Sequence, residues 1–184
     1  MANKVLILTG DAVEALEVFY PYYRLLEAGL EADIAAPSIK TLYTVNHDFV
    51  EGYETFIEKP SYQLKSHIPF EDVTPSDYIG LIIPGGRAPE YIRMDHNVPD
   101  IVNHFLDENK PVGAICHAAQ LLSAVTQDRL KGRKMTAYTA CKPDVEAIGA
   151  EFRSEKVYVD DNLVSGHAWD DLPGFMREFM RQIQ

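Results

Sequence analysis

The chain has 184 residues, the length of one ordinary α/β domain, so we expect a single domain over residues 1–184. Hydrophobic residues make up 46% of the chain and charged residues 24%, proportions that exclude wholesale disorder, collagen and coiled coil. The 28 acidic and 17 basic residues give a net charge of −11, which disfavours both nucleic acids and anionic membrane surfaces as partners.

The compartment follows from what the sequence lacks. Two cysteines are too few for a disulfide framework, and no apolar run approaches the length of a membrane span. The first ten residues also show no basic region followed by the long apolar stretch of a secretory signal. We therefore expect a cytoplasmic protein.

The chain begins with a predicted strand and helix. Residues 5–8 (VLIL) form an apolar run typical of a strand buried on both faces. Apolar residues then recur at helical spacing at Leu16, Tyr20, Tyr23 and Leu26. Pro21 is expected to bend this helix or to restart it. A second strand is expected over residues 31–35.

Residues 38–74 show no clean hydrophobic period. We interpret this segment as an excursion of short strands or loops with scattered aromatic and histidine residues. It is long for a connection between two elements, which indicates a lid or a contact between subunits.

Strands and helices alternate through the rest of the chain. Strands are expected over residues 78–83 and 111–115, a hairpin over 157–165, and helices near 98–106, 117–124, 143–148 and 172–183. Alternating strands and helices indicate an α/β fold, in which a mostly parallel sheet carries helices on both faces.

Reactive residues follow three of the predicted strands, in the segments 10–14, 84–90 and 116–117. In open α/β sheets, ligands bind beyond the carboxyl ends of the strands. Cys116 follows a buried strand and opens a helix, where the helix dipole and free amide groups would stabilise a thiolate. A buried structural cysteine is the alternative interpretation.

Three neighbours are candidates for acid–base work with this cysteine. His117 could act as a base and proton carrier, or could be only a polar residue at a helix start. A buried Glu14 would have a raised pKa and could donate a hydrogen bond to the sulfur. Glu14 and Glu90 could instead be ordinary acidic residues in the first turn of a helix.

Gly85 and Gly86 could bring backbone N–H groups close to a ligand and form an oxyanion site with the amide after Cys116. The pair could equally be a simple turn, and it matches neither a P-loop nor a dinucleotide-binding motif. The histidines show no metal-ligand spacing, so we expect no metal, and Cys141 is expected to be passive.

Three longer motifs occur in order: PGGRAPE at residues 84–90, KPVGAICH at 110–117 and LKGRK at 130–134. Together they resemble the PfpI/ThiJ superfamily, which includes the PfpI-type intracellular proteases and the DJ-one proteins. Further PfpI-like segments are YPYYRL at 20–25 and MREF at 176–179. The segments HDF at 47–49 and EKP at 58–60 resemble plant members that have glyoxalase activity.

The resemblance implies a flavodoxin-like three-layer sandwich of the class I glutamine amidotransferase type, with no cofactor. It implies Cys116 as the nucleophile, Glu14 as its carboxyl neighbour and His117 beside it. It also implies a homo-oligomer (a dimer, trimer or hexamer) in which Glu90 of one subunit orients the histidine of the next. Family members often have glycine where this chain has Ala118, and the added methyl group would narrow the substrate pocket.

Three functions remain open at this level. The first is cofactor-independent conversion of a small 2-oxoaldehyde, such as methylglyoxal to lactate, through a Cys116 hemithioacetal, or the related deglycation of modified amines and thiols. The second is a PfpI-type cysteine peptidase that uses Cys116, His117 and Glu90. The third is a redox-sensing or chaperone protein whose cysteine stops at the sulfinic acid.

Overall fold

The computed structural model describes residues 3–183. Its strands are β1 Lys4–Leu8, β2 Glu31–Ala36, β3 Thr41–Phe49, β4 Phe56–Lys65, β5 Ile68–Pro69, β6 Gly80–Ile83, β7 Val112–Ile115, β8 Lys134–Met135, β9 Glu151–Phe152, β10 Val157–Asp160 and β11 Leu163–Gly166. Its helices are α1 Ala15–Glu27, α2 Ala88–Ile92, α3 Val98–Asp107, α4 Ala118–Val125, α5 Lys142–Ala147 and α6 Leu172–Gln182.

A seven-stranded sheet forms the centre, in the order β10-β11-β7-β6-β1-β2-β5. Every neighbouring pair is parallel except β10 and β11, which form the antiparallel hairpin predicted at residues 157–165. The carboxyl ends of β1, β6 and β7 therefore lie side by side at one edge of the sheet. This is the edge where the sequence analysis places the reactive residues.

The two faces of the sheet carry separate apolar cores. Alternate residues of β1 divide between them, since Leu6 and Leu8 pack on the side of α3, α4 and α5, whereas Val5 and Ile7 pack on the side of α1 and α6. Strands buried on both faces explain the uninterrupted apolar runs in the sequence. The predicted three-layer α/β sandwich is confirmed.

The excursion at residues 38–74 is more regular than the sequence predicts. Its main part is one long antiparallel hairpin of β3 and β4, nine and ten residues in length. Buried positions of β3 include the polar Thr44 and His47 beside the apolar Leu42 and Val45. Polar residues on the buried face conceal the two-residue period from an analysis that relies on hydrophobicity.

Helix α1 also departs from its prediction in two respects. It runs without interruption through Pro21, so the expected restart does not occur. The apolar stripe that predicted the helix, Leu16, Tyr20, Tyr23 and Leu26, lies on its exposed side. The side that packs on the sheet carries Ala15, Val18, Pro21 and Leu25, together with one acidic residue, Glu17.

The turn after β6 requires glycine at Gly86. Its φ is +70°, and a Cβ atom there would lie 2.3 Å from the backbone nitrogen of Glu14 and 2.4 Å from the carbonyl oxygen of Ala12. Backbone atoms cannot move away as a flexible side chain would. Gly86 therefore packs the β6 turn directly against the segment that follows β1.

We expect Gly86→Ala to lower the free energy of unfolding by about 3 kcal/mol or more, through left-handed strain combined with backbone overlap. Gly132→Ala is the matched control, because its φ is +76° and its Cβ would meet nothing within 4 Å. That variant should lose only the strain, about 1 kcal/mol. Urea denaturation measures both, and equal losses would show that the close packing at Gly86 contributes nothing.

Candidate active site

Cys116 occupies a strained turn between β7 and α4. Its φ is +59°, a left-handed conformation that residues other than glycine seldom adopt. Two backbone hydrogen bonds hold it there: its amide donates to Gly166 over 3.0 Å, and its carbonyl accepts from Tyr138 over 3.2 Å. Strain of this kind persists where the surroundings over-determine it, which is typical of functional sites.

The carboxyl group beside Cys116 belongs to Glu17. Its Oε2 accepts a hydrogen bond from the Gly85 amide at 2.7 Å, and the carboxyl lies close enough to the Cys116 thiol to raise the thiol pKa. Burial raises the pKa of Glu17 to about 8. At neutral pH the carboxyl is therefore mainly protonated, and its Oε1, which has no hydrogen-bond partner within residues 3–183, is available to carry the proton.

The structure places Glu14, the expected carboxyl neighbour, one helical turn away from that role. Glu14 is the N-cap of α1, and its Oε2 accepts from the Glu17 amide at 2.9 Å. Its side chain turns back on the helix, whereas Glu17 points inward from the first turn. Burial raises the pKa of Glu14 to about 7, as expected, but the carboxyl that meets the sulfur is that of Glu17.

Burial dominates the protonation of the cysteine itself. The sequence analysis expects the start of α4 to lower the thiol pKa, but burial and the nearby Glu17 raise the pKa of Cys116, while a hydrogen bond from the Gly86 amide opposes them. The thiol is only 5% exposed, so desolvation of the thiolate outweighs the helix dipole. A base must therefore take its proton before the sulfur can attack.

His117 is the base in contact with the sulfur. Its Nδ1 lies 3.1 Å from Cys116 Sγ, and the residue is the N-cap of α4. Burial lowers the pKa of His117 to about 4, and the charge of His47 adds to this effect. The imidazole is therefore neutral at neutral pH and can accept the thiol proton.

The other predicted site residues lie in three places: beside Cys116, in the core and on the surface. Gly85 and Gly86 form the turn that faces Cys116, and a Cβ on Gly85 would lie 2.8 Å from the His117 amide nitrogen. Ala118 begins α4 and is buried in the core. Glu90 lies exposed on α2, and no contact joins it to His117 within the described chain.

A wall of aromatic rings covers His117. Phe56 at the start of β4 meets it edge-on at 5.4 Å between centroids, and Tyr138 lies at 4.9 Å. Phe49, at the end of β3, stacks on Trp169 at 6.5 Å, and the Trp169 indole donates to the His47 carbonyl at 2.9 Å. The β3–β4 hairpin is thus docked over the Cys116–His117 pair.

Sequence reasoning missed two residues of this site. The hairpin brings in His47, whose ring meets that of His117 at 6.1 Å between centroids. The only sequence signal for it was the HDF segment, which carried a resemblance and no role. Glu17 had a clearer signal, because it lies three residues after Glu14 and therefore on a neighbouring helical position.

A groove of about 640 Å³ borders the site. Glu14 and His47 form part of its wall, and the aromatic side chains of Phe19, Tyr23, Tyr62 and Trp169 line the rest of it together with several polar groups. Cys116 itself is not among the lining residues, so the groove lies beside the cysteine, with Glu14 and His47 common to the groove and the site.

One cluster has the composition of a metal site. The ligand atoms of His167, Asp170 and Asp171 lie within 4.8 Å of one another. However, the Lys156 ammonium lies 3.4 Å from His167 Nδ1 and 4.0 Å from Asp171 Oδ2. Because an ammonium group already lies beside His167 and Asp171, the cluster fits an ion-pair network better than a metal site.

Comparisons with known sequences identify the class of protein to which this fold and this cysteine turn belong. Residues 3–182 match the model of the DJ-1/PfpI family, and the chain belongs to that family. A deglycase of Pyrococcus horikoshii is 37% identical over 98% of this chain and 99% of its own length. DJ-1 homolog D of Arabidopsis thaliana is 40% identical over 97% of this chain and 47% of its own.

A solved structure agrees with the fold. A two-domain protein from Anabaena variabilis, with DJ-1/ThiJ/PfpI-like and ferritin-like domains, superposes with a TM-score of 0.83 at 26% identity. The match covers 98% of this chain and 48% of the other. Within residues 3–183, none of the helices has both the length and the apolar character needed to cross a bilayer.

The raised pKa of Glu17 predicts a pH-dependent stability. A carboxyl whose folded pKa is raised from 4.5 to about 8 opposes folding more strongly as pH rises through that interval. Glu17→Gln retains an acceptor for the Gly85 amide and removes the titration. We expect the stability of this variant relative to wild type to increase by about 2–4 kcal/mol between pH 5 and pH 8.

Urea denaturation at a series of pH values tests this, with Glu27→Gln as the control, because Glu27 lies exposed near the end of the same helix. The difference between Glu27→Gln and wild type should not change with pH. A pH-independent difference for Glu17→Gln would contradict a buried, protonated Glu17.

Proposed function

We propose that this protein is a cofactor-independent, deglycase-type enzyme that converts small 2-oxoaldehydes to 2-hydroxy acids through Cys116. One observation carries the proposal: the Cys116 sulfur lies 3.1 Å from Nδ1 of a neutral His117, and the buried Glu17 carboxyl is close enough to raise the thiol pKa. An acid and a base on one thiol are what addition to a carbonyl and its reversal require. The deglycase names of full-length relatives support the same class.

The reaction begins when His117 accepts the thiol proton and the sulfur adds to the aldehyde carbon of methylglyoxal. A C–S bond forms, the carbonyl π bond breaks, and the oxygen takes a proton to give a hemithioacetal. The Gly86 amide, which already donates toward the sulfur, would hold the developing oxyanion together with the His117 amide. Protonated Glu17 would stabilise the sulfur each time it returns as a thiolate.

The second half moves a proton within the substrate. His117 removes the hydrogen from the carbon bonded to sulfur and returns a proton to the neighbouring carbonyl carbon, through an enediol. The product is a thioester on Cys116, which water hydrolyses to lactate and the free thiol. Methylglyoxal and one water thus become lactate with no external oxidant or reductant.

The aromatic wall favours a small substrate over a polypeptide. Phe56 and Tyr138 pack against His117, and Cys116 is almost fully covered. An extended chain would need a groove open along the cysteine, whereas a three-carbon aldehyde needs only access past Glu14 and His47. This difference supports aldehyde chemistry over the peptidase hypothesis.

We also propose that the protein acts as a homo-oligomer in the cytoplasm, as the family resemblance implies. Glu90 and its neighbour Tyr91 lie partly exposed on α2, where a second subunit can reach them. Analytical ultracentrifugation of wild type beside Glu90→Arg, which reverses the charge on this surface, tests whether α2 contributes to an interface.

The decisive test is lactate formation from methylglyoxal without glutathione, in a buffer free of amines. We expect catalytic turnover in wild type and none in Cys116→Ser. Glu17→Gln should lose at least about 100-fold in kcat/KM, since an acid–base group typically contributes that much. Glu14→Gln is the matched comparison: it lies one turn away and retains the N-cap acceptor, so it should lose far less.

Activity must be measured as lactate formed and not as aldehyde consumed, because thiols and amines also remove free aldehyde without turnover. Stoichiometric loss of methylglyoxal without lactate would overturn the proposal. A larger loss in Glu14→Gln than in Glu17→Gln would return the acid–base role to Glu14.

A further inference from the structure

The β3–β4 hairpin carries a second histidine with its own carboxylate. Nε2 of His47 lies 3.0 Å from Oε2 of Glu58, the residue directly opposite it across the hairpin. Because an ionised carboxylate only accepts, this bond places the His47 proton on Nε2 and leaves Nδ1 as an acceptor. Phe56 stacks on the ring at 3.9 Å and fixes its plane.

Arg87 keeps Glu58 ionised. Its Nε and Nη2 donate to the two oxygens of Glu58, each at 2.8 Å, in the forked geometry that suits a carboxylate. The arginine lowers the pKa of Glu58. Arg87 directly follows Gly86, and its amide donates to the Ala12 carbonyl at 2.8 Å. The arginine that holds Glu58 is therefore part of the turn that faces Cys116.

His117 has no carboxylate partner of this kind within the described residues. The shift of its pKa to about 4 has burial and His47 as its causes, with no carboxylate opposing them. At His47, burial also lowers the pKa, but Glu58 opposes that effect. A proton taken from Cys116 therefore has the Glu58 carboxylate beside it on His47, whereas on His117 its counter-charge is the thiolate that has to react.

We propose that His117 and His47 form a proton relay that carries the Cys116 proton to a site held by Glu58 and Arg87 within one chain. The proposal rests on Cys116 being the nucleophile of the proposed function. The S–H bond breaks as His117 Nδ1–H forms, and His117 Nε2–H breaks as His47 Nδ1–H forms. A water from the bordering groove bridges the two rings, which lie edge to face with centroids 6.1 Å apart.

The charged and titratable groups around His47 are few. Glu58 lies on β4 and Asp48 beside it on β3, Arg87 follows β6, and His117 begins α4. Glu14, at the start of α1, lies close to the backbone of His47. Of these, only Glu58 hydrogen-bonds the His47 ring in the described chain, so removal of Glu58 should act through His47.

The test measures alkylation of Cys116 by iodoacetamide across pH 5–10, followed on the Cys116 peptide by mass spectrometry. This readout reports the thiolate and needs no aldehyde turnover. We expect His47→Gln to slow alkylation at pH 7 by about tenfold, the change in thiolate fraction that one pKa unit produces. Glu58→Gln should slow it in the same direction, and the double variant should lose no more than His47→Gln alone.

Lys59→Gln is the control, because Lys59 pairs with Asp48 at 2.9 Å on the same hairpin and makes no hydrogen bond to the His47 ring within residues 3–183. It should alkylate at the wild-type rate. Unfolding midpoints verify that each variant is folded. If His47→Gln does not fold, the test rests on Glu58→Gln, whose side chain is less buried. Wild-type alkylation in a folded His47→Gln or Glu58→Gln, or losses that multiply in the double variant, would overturn the relay.

The relay and the proposed function can fail separately. If the variants slow alkylation but wild type forms no lactate, the relay stands and the substrate is different. If lactate forms while neither His47 nor Glu58 alters thiolate formation, the chemistry stands and the relay is wrong.

Discussion

The whole site depends on one buried carboxyl group, that of Glu17. It connects α1, the Gly85 amide and the Cys116 thiol, which come from three parts of the chain. A carboxylate at that position would be fully desolvated with no cation beside it, and each unit of pKa shift corresponds to about 1.4 kcal/mol. The fold avoids this cost because the group stays protonated. The same burial therefore leaves an acid next to the sulfur.

The strained backbone of Cys116 and the glycine turn are two parts of one arrangement. Gly86 packs against the backbone of residues 12–14, and Gly85 leaves no room for a Cβ between Glu17 and Cys116. These close contacts hold the glycine turn against the β7–α4 junction, where φ at Cys116 is +59°. The stability lost to this strain is small compared with that of the two apolar cores on either side of the sheet.

The sequence predicts the sheet, the cysteine turn and the family well, because these depend on local signals. Apolar runs mark strands buried on both faces, and the motif that ends in Cys116-His117 is contiguous. The choice between Glu14 and Glu17 depends on which way each side chain points from the first turn of α1, and Leu16, Tyr20, Tyr23 and Leu26 suggested the wrong inner face for that helix. His47 lay beyond reach, since its place depends on a hairpin whose buried face is partly polar.

The hairpin changes what a single chain can do. In the arrangement that the family resemblance implies, the carboxylate that supports the catalytic histidine is Glu90 of a neighbouring subunit. Here Glu58 supports a histidine from inside the chain, and its clamp, Arg87, lies only three residues before Glu90 on the same turn. Under the two proposals, Glu90 of a neighbouring subunit and Glu58 of the same chain would stabilise positive charge near one thiolate by independent routes. The intrachain route would require the hairpin to remain docked on Tyr138 and Trp169, which would couple proton transfer at Cys116 to the packing of that hairpin.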